Sequence, residues 1–172
     1  KCKISNQGVE ALDVEKIVHI AELAGLAILE IYDRSGEIQV QHKEDSSPLT
    51  EADLAAHNII VEELQKIDNT PIVSEEGNEG DPLSNDTCWL VDPLDGTKEF
   101  IKRNGMFTVN IALMRREKNR WRPIFGVVHA PVTKTTWFGG TITPSERRGP
   151  EGSGLMMVNP SSPPLPVRLV AS

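Results

Sequence analysis

Apolar residues recur at helical spacing between residues 12 and 33, where Ile17, Ala21, Ala24, Ile28 and Ile31 share one face. Asp13 and Glu15 stand at the positive end of this predicted helix, and Ser35-Gly36 closes it. Glu37 to His42 alternates as a short strand does, and Lys43 to Pro48 is a polar loop. A second helix is predicted from about Thr50 to Ile67, with Leu54, Ile60, Val61 and Leu64 on its apolar side. Pro71 to Ser74 reads as a short strand that ends in Glu75-Glu76-Gly77, and Asn78 to Thr87 reads as a loop.

An apolar strand then opens at Trp89, and a short helical turn follows from Thr97 to about Lys102. Met106 to Met114 alternates strictly, so that Phe107, Val109, Ile111 and Leu113 face one way. Trp121 to Ala130 is a strand paired with it through a turn at Glu117 to Asn119, and Thr135 to Phe138 is a third. Gly139 to Pro166 is rich in Gly, Pro and Ser and reads as an extended loop or weak hairpin. Leu165 to Ala171 is predicted to begin another strand. Together these elements predict an α+β fold, two helices packed on a mostly antiparallel sheet.

With 172 residues, 38% hydrophobic and 25% charged, the chain has the make-up of one globular domain or part of a larger one. A net charge of −7 argues against a nucleic-acid polymer or an anionic membrane as partner. It leaves room for a small phosphorylated substrate if metal ions supply positive charge. No apolar run approaches membrane-spanning length and no secretory pattern opens the chain, so a cytoplasmic location is expected. Cys2 and Cys88 form no CxxC pair and are expected as free thiols, Cys88 in the core.

The chemistry concentrates in Trp89-Leu-Val-Asp92-Pro-Leu-Asp95-Gly-Thr97-Lys-Glu-Phe100. An apolar run delivers Asp92 and Asp95 to the open end of a buried strand, at the start of a turn. Asp53, after Leu49-Thr50, and Glu75, after Ile72-Val73-Ser74, are two further acids that follow apolar segments. Carboxylates gathered in this way repel one another unless cations lie between them. Oxygen-only ligands favour Mg²⁺ or Mn²⁺ over zinc, and no His or Cys cluster competes. Gly96 and Thr97 open the helical turn, whose N–H groups are candidates for holding a phosphate oxygen. Thr50-x-x-Asp53 is equally a helix-capping box. Glu75-Glu76 can also be read as a solvated loop, with Glu76 structural, and Asp92 to Gly96 as an ordinary turn. Lys98, Glu99 and Lys102 fit either substrate contacts or a solvated helical face. His19, His42, His57 and His129 show no ligand spacing and are read as structural.

This pattern resembles the metal-dependent, lithium-sensitive inositol monophosphatase superfamily, whose first signature has the form W-hydrophobic-hydrophobic-D-P-hydrophobic-D-G-T. The continuation Lys98-Glu99-Phe100, Ile101-Lys102-Arg103-Asn104-Gly105 and Phe107 to Leu113 is similar to the 3′(2′),5′-bisphosphate nucleotidases of the CysQ type. The resemblance implies the N-terminal half of a layered α/β/α/β/α sugar-phosphatase fold. It also implies an enzyme that takes the 3′-phosphate from adenosine 3′,5′-bisphosphate, leaving AMP and phosphate, with two or three Mg²⁺ ions. Residue by residue, Glu75, Asp92 and the Leu94 carbonyl would bind one metal, and Asp92 with Asp95 a second. Glu75 and the Thr97 hydroxyl would orient the attacking water, and Asp53 would support a third metal or its water shell. Gly96, Thr97 and Lys98 would bind substrate. An inositol phosphate phosphatase is the alternative within the superfamily. Outside it, the alternative is a non-catalytic fragment that only binds metal or a partner.

The family's second signature, W-D-x-A, is not found, since Trp89, Trp121 and Trp137 precede Leu, Arg and Phe. The expected division is an N-terminal metal and phosphate domain over 1–164. The start of a C-terminal domain is expected over 165–172, with the remainder of that half missing and packing on the first.

Overall fold

The computed structural model describes residues 12–36, 38–42, 48–118 and 120–156. The expected strand at Leu165 to Ala171, the division at 164/165, Cys2 and the side chain of His42 lie outside the described residues. Helix α1 runs Val14–Tyr32, and the Asp13 side chain accepts a hydrogen bond from the Lys16 N–H at its start. Strand β1 (Val40–His42) pairs antiparallel with β2 (Pro48–Thr50), which leads directly into α2 (Glu51–Gln65). The rest of the chain builds one large sheet from β3 (Ile72–Ser74), β4 (Gly77–Glu79), β5 (Thr87–Asp95), β6 (Thr108–Glu117), β7 (Arg120–Ala130), β8 (Thr135–Gly140), β9 (Glu146–Gly149) and β10 (Gly152–Leu155). Helix α3 (Thr97–Ile101) follows β5. The sheet order is β10-β9-β8-β7-β6-β5-β3-β4, and β3 with β5 is its single parallel pair. The fold is therefore α+β, with helices on a mostly antiparallel sheet, as the periodicity predicts.

Helices α1 and α2 cover one face of the sheet. Trp89, Val91, Val109, Ile111, Phe125 and Val127 meet Ile17, Ala21, Ile28 and Ile60 in one apolar core. Burying a large side chain of this kind contributes about 1.5–3 kcal/mol, so this layer holds the fold together. The alternation predicted for residues 107–113 is realised, with Phe107, Val109, Ile111 and Leu113 all buried. The apolar side expected for α2 needs one correction. Leu54 is 40% exposed, and the buried seam is Ala52, Ala56, Ile60 and Leu64. Residues four apart stack along a helix, and two alanines in that row let α1 and α2 approach closely. The loop predicted over Asn78 to Thr87 contains β4 and a 3₁₀ turn, Pro82–Ser84. In the glycine-rich segment after Gly139, β9 and β10 form the hairpin, the second of its two expected forms.

Helix α1 crosses the sheet closely at Gly25, where a Cβ would lie 2.6 Å from His129 Cδ2. His129 is buried, and its Nδ1 is hydrogen-bonded to the Thr136 hydroxyl at 2.9 Å. Its ring packs against α1 at Gly25 and is held from β8 by Thr136. Burial depresses its pKa from 6.5 to about 4. A histidine whose folded-state pKa is depressed contributes stability that is complete above its unfolded pKa and lost as pH falls through the folded value. Moving from pH 7 to pH 4.5 should therefore remove roughly 2–3 kcal/mol through this ring. His129→Gln should lack this loss, so its urea midpoint should fall less than that of the wild-type protein across that window, or rise where the opposite titration of Asp92 is left alone. Equal loss in both proteins would show that His129 is not the titrating group.

Candidate functional site

The parallel pairing of β3 with β5 brings two separate acids together. Ser74 is level with Val91 in the ladder, and the next N–H, that of Glu75, donates to the Val91 carbonyl at 3.1 Å. Glu75 thus leaves β3 beside Asp92 of β5, at the carboxyl end of both strands, where ligands of parallel pairs bind. The β3 end is anchored from α2: His57 Nδ1 is 2.9 Å from the Ser74 hydroxyl, which also accepts from the Glu76 N–H at 3.3 Å.

Asp92 and Asp95 are three residues apart, and in a regular strand that spacing sends them to opposite faces. The strand is not regular there. Asp92 is level with Asn110 and Asp95 with Thr108, so three steps on β5 match two on β6. The irregularity contains Pro93, which has no N–H for the ladder. Because Asn110 and Thr108 share a face of β6, the bulge returns Asp95 to the face of Asp92. Asn110 Nδ2 donates to Asp95 Oδ2 at 3.1 Å, and the Thr108 hydroxyl donates to Asn110 Oδ1 at 3.1 Å. Neither Thr108 nor Asn110 was singled out from the sequence. The signal was present, since both are the polar partners in an alternation whose apolar members were identified.

Gly96 turns the chain from β5 into α3 with φ +97° and ψ 39°, a left-handed conformation that glycine tolerates. Phe100 then buries completely, its ring 5.3 Å from those of Tyr32 and Phe107. Arg103 donates to the Tyr32, Arg34 and Gly36 carbonyls and ties the end of α3 to the end of α1. These contacts fix the segment that carries Thr97 and Lys98. The Lys98 side chain is exposed at the start of α3.

Asp53 serves as the predicted cap and as more. Its Oδ2 accepts from the Thr50 N–H at 2.8 Å and the Thr50 hydroxyl at 2.5 Å. Its Oδ1 lies 3.2 Å from the Thr97 hydroxyl, 44 residues away in sequence. That hydroxyl is also 3.3 Å from the Leu94 carbonyl, an expected metal ligand. Asp53 is buried, and burial raises its pKa against the opposing Thr50 and Thr97 hydrogen bonds.

Asp92 is the most perturbed carboxyl of the site. Burial, then the charges of Glu75 and Asp95, push its pKa up to about 7, with a smaller contribution from Asp53. The Leu94 N–H bonds its carboxylate and opposes this. Its Oδ1 is buried without a hydrogen-bond partner among the described residues. Among these residues no three His, Cys, Asp or Glu side chains are drawn into a chelating cluster. The donor set nonetheless fits a hard divalent cation: the acids are all oxygen donors, they repel, and one buried oxygen lacks a partner.

Among the described residues, nothing covers the face of the sheet opposite α1 and α2 beside these acids. A groove of about 480 Å³ runs over Val73, Leu90, Ala112, Gly126 and Val128 to Glu75, Asp92 and Asn110. Leu90 and Val128 are 48% and 39% exposed, high values for apolar residues inside a sheet. No helix among the described residues is long and apolar enough to cross a membrane.

Comparison with known proteins places this arrangement. The inositol monophosphatase family matches residues 12–155. The chain is 46% identical over 132 residues to the 3′(2′),5′-bisphosphate nucleotidase CysQ of Salmonella typhimurium, covering 73% of this chain and 50% of that protein. It is 48% identical over 122 residues to the nucleotidase of the same name from Escherichia coli K12, covering 69% and 48%. The chain thus spans about half the length of these relatives. The crystal structure of CysQ from Bacteroides thetaiotaomicron, described as a bacterial member of the inositol monophosphatase family, superposes with a TM-score of 0.68. That superposition is at 37% identity and covers 87% of this chain and 59% of the other. With the signature around Asp92 and Asp95, the fold and these likenesses in agreement, the chain belongs to the inositol monophosphatase family.

Proposed function

We propose that the protein is a Mg²⁺-dependent phosphatase that removes the 3′-phosphate of adenosine 3′,5′-bisphosphate to give AMP. The observation that carries the phosphatase reading is Asp92, a half-buried carboxylate with one buried oxygen that has no hydrogen-bond partner among the described residues, beside Glu75 and on one face with Asp95. Glu75, Asp92, Asp95 and the Leu94 carbonyl would hold the cations. A divalent cation there would neutralise phosphate charge and make bound water acidic. The Thr97 hydroxyl, held by Asp53, and the Glu75 carboxylate are suited to orienting a water for in-line attack. Asp53 also keeps α3 in register with α2, so its first role is positional. Gly96, Thr97 and Lys98 would contact the substrate phosphate, with Lys98 as an exposed cation.

The nucleotide substrate rests on the Lys98-Glu99-Phe100 continuation and on relatives at 46% and 48% identity that are named bisphosphate nucleotidases. A phosphate-release assay on the full-length protein with Mg²⁺ should favour adenosine 3′,5′-bisphosphate over inositol 1-phosphate by at least about tenfold in kcat/KM. The reverse preference would make it an inositol phosphate phosphatase. We further propose residues 1–164 as the metal and phosphate domain, with a second domain beginning at 165 and packing on the open apolar face. The half-length match supports a second domain, and the exposed Leu90 and Val128 support its packing there.

A further inference from the structure

We infer that Asn110 is a positioning residue for the cation site: its amide clamps one oxygen of Asp95 and so sets the carboxylate across the β5 bulge from Asp92. The inference rests on the proposed cation ligands, Asp92 and Asp95. The orientation of the amide is chemically forced. A carboxylate only accepts, so the atom facing Asp95 Oδ2 at 3.1 Å must be the NH₂. The Thr108 hydroxyl, 3.1 Å from Oδ1, donates to the other end and holds that orientation. Thr108, Asn110 and Asp95 thus form a directed chain along one face.

The need for such a clamp follows from the bulge. Asp95 is the exposed last residue of β5, and it rejoins the ladder opposite Thr108 only after the break in register. Asn110 belongs to the regular part of β6, level with Asp92 and paired with Val128 on its other side. It therefore transfers the fixed frame of β6 to a carboxylate that lies past the irregularity. Its neutrality matters as well. A cationic donor would compete with the metal for Asp95, whereas an amide orders the carboxylate and leaves its charge available.

Mn²⁺ titrated into the metal-free full-length protein, followed by the electron paramagnetic resonance of free ion, reads this without turnover. Asn110→Ala and the similarly sized Asn110→Leu should both weaken Mn²⁺ binding about tenfold, and Thr108→Val should weaken it less. Asn110→Leu in an Asp95→Asn background should produce no further loss, because the amide acts through Asp95. Thermal melts establish that each variant is folded. Wild-type affinity in folded Asn110→Leu, or full additivity with Asp95→Asn, would overturn the clamp while leaving the cation site intact. Failure of the wild-type protein to bind Mn²⁺ would overturn the cation site and the clamp together.

Discussion

Asp92→Asn is expected to abolish phosphatase activity while making the metal-free protein more stable. The two effects have one origin. Burial and the neighbouring charges of Glu75, Asp95 and Asp53 hold the folded-state pKa of Asp92 near 7, from an ordinary value of 3.8. For an acid whose folded-state pKa is raised, the favourable contribution is present below the unfolded value and lost as pH rises through the folded one. At pH 8 the metal-free protein therefore carries a charge compensated only in part, by the Leu94 N–H, which after allowance for solvent screening weakens it by roughly 2–4 kcal/mol. Asparagine has nearly the same shape without the charge, so Asp92→Asn should recover much of that stability and remove the share of the pH dependence that this carboxyl contributes between pH 4 and 8, leaving the opposite dependence of His129. Mg²⁺ should raise the melting temperature of the wild-type protein and not that of the variant. Loss of several kcal/mol of transition-state stabilisation corresponds to a rate decrease on the order of a thousandfold. Calorimetry at pH 8 with and without Mg²⁺, together with phosphate release, checks both halves. A variant that turns over normally, or that melts below the wild-type protein without metal, would refute the assignment.

Gly96→Ala should impair both stability and catalysis. The added Cβ would lie 2.9 Å from the Met106 carbonyl oxygen and 3.3 Å from Phe107 Cα, both backbone atoms that cannot rotate aside. A φ of +97° is also unfavourable for alanine. Strain and overlap together should lower stability by about 2–4 kcal/mol. Relief requires α3 to move, which pulls the Thr97 hydroxyl from Asp53 and the Leu94 carbonyl. A urea titration should show the loss of stability. In protein still folded at low temperature, kcat should fall further than the substrate KM rises. Unchanged stability and kcat would show that the turn has room to relax.

The sequence carried the fold a long way. Ile17 to Ile31 marks α1 because side chains one turn apart must lie on one face, and residues 107–113 mark β6 because successive side chains alternate. These are local rules, so local sequence shows them. Leu54 misled because helical periodicity admits more than one stripe, and the choice fell to the alanine seam that lets α2 approach α1. The β9–β10 hairpin is not decided by local sequence, because Gly and Pro mark turns without stating which short segments pair.

The site divides in the same way. Asp53, Glu75, Asp92, Asp95, Gly96 and Thr97 were identifiable from residue type and spacing, since carboxylates after apolar segments and a Gly-Thr turn have few alternative uses together. That Glu75 neighbours Asp92 depends on the parallel register of β3 with β5. That Asp53 reaches Thr97 depends on how α2 docks. The sequence alone determined which chemistry to expect, oxygen ligands and a phosphate-sized turn, because that expectation is written in residue types. The folded chain decided which carboxylates share a face. A spacing of three would separate Asp92 from Asp95, and only a bulge measured against β6 reunites them, with Asn110 placed between.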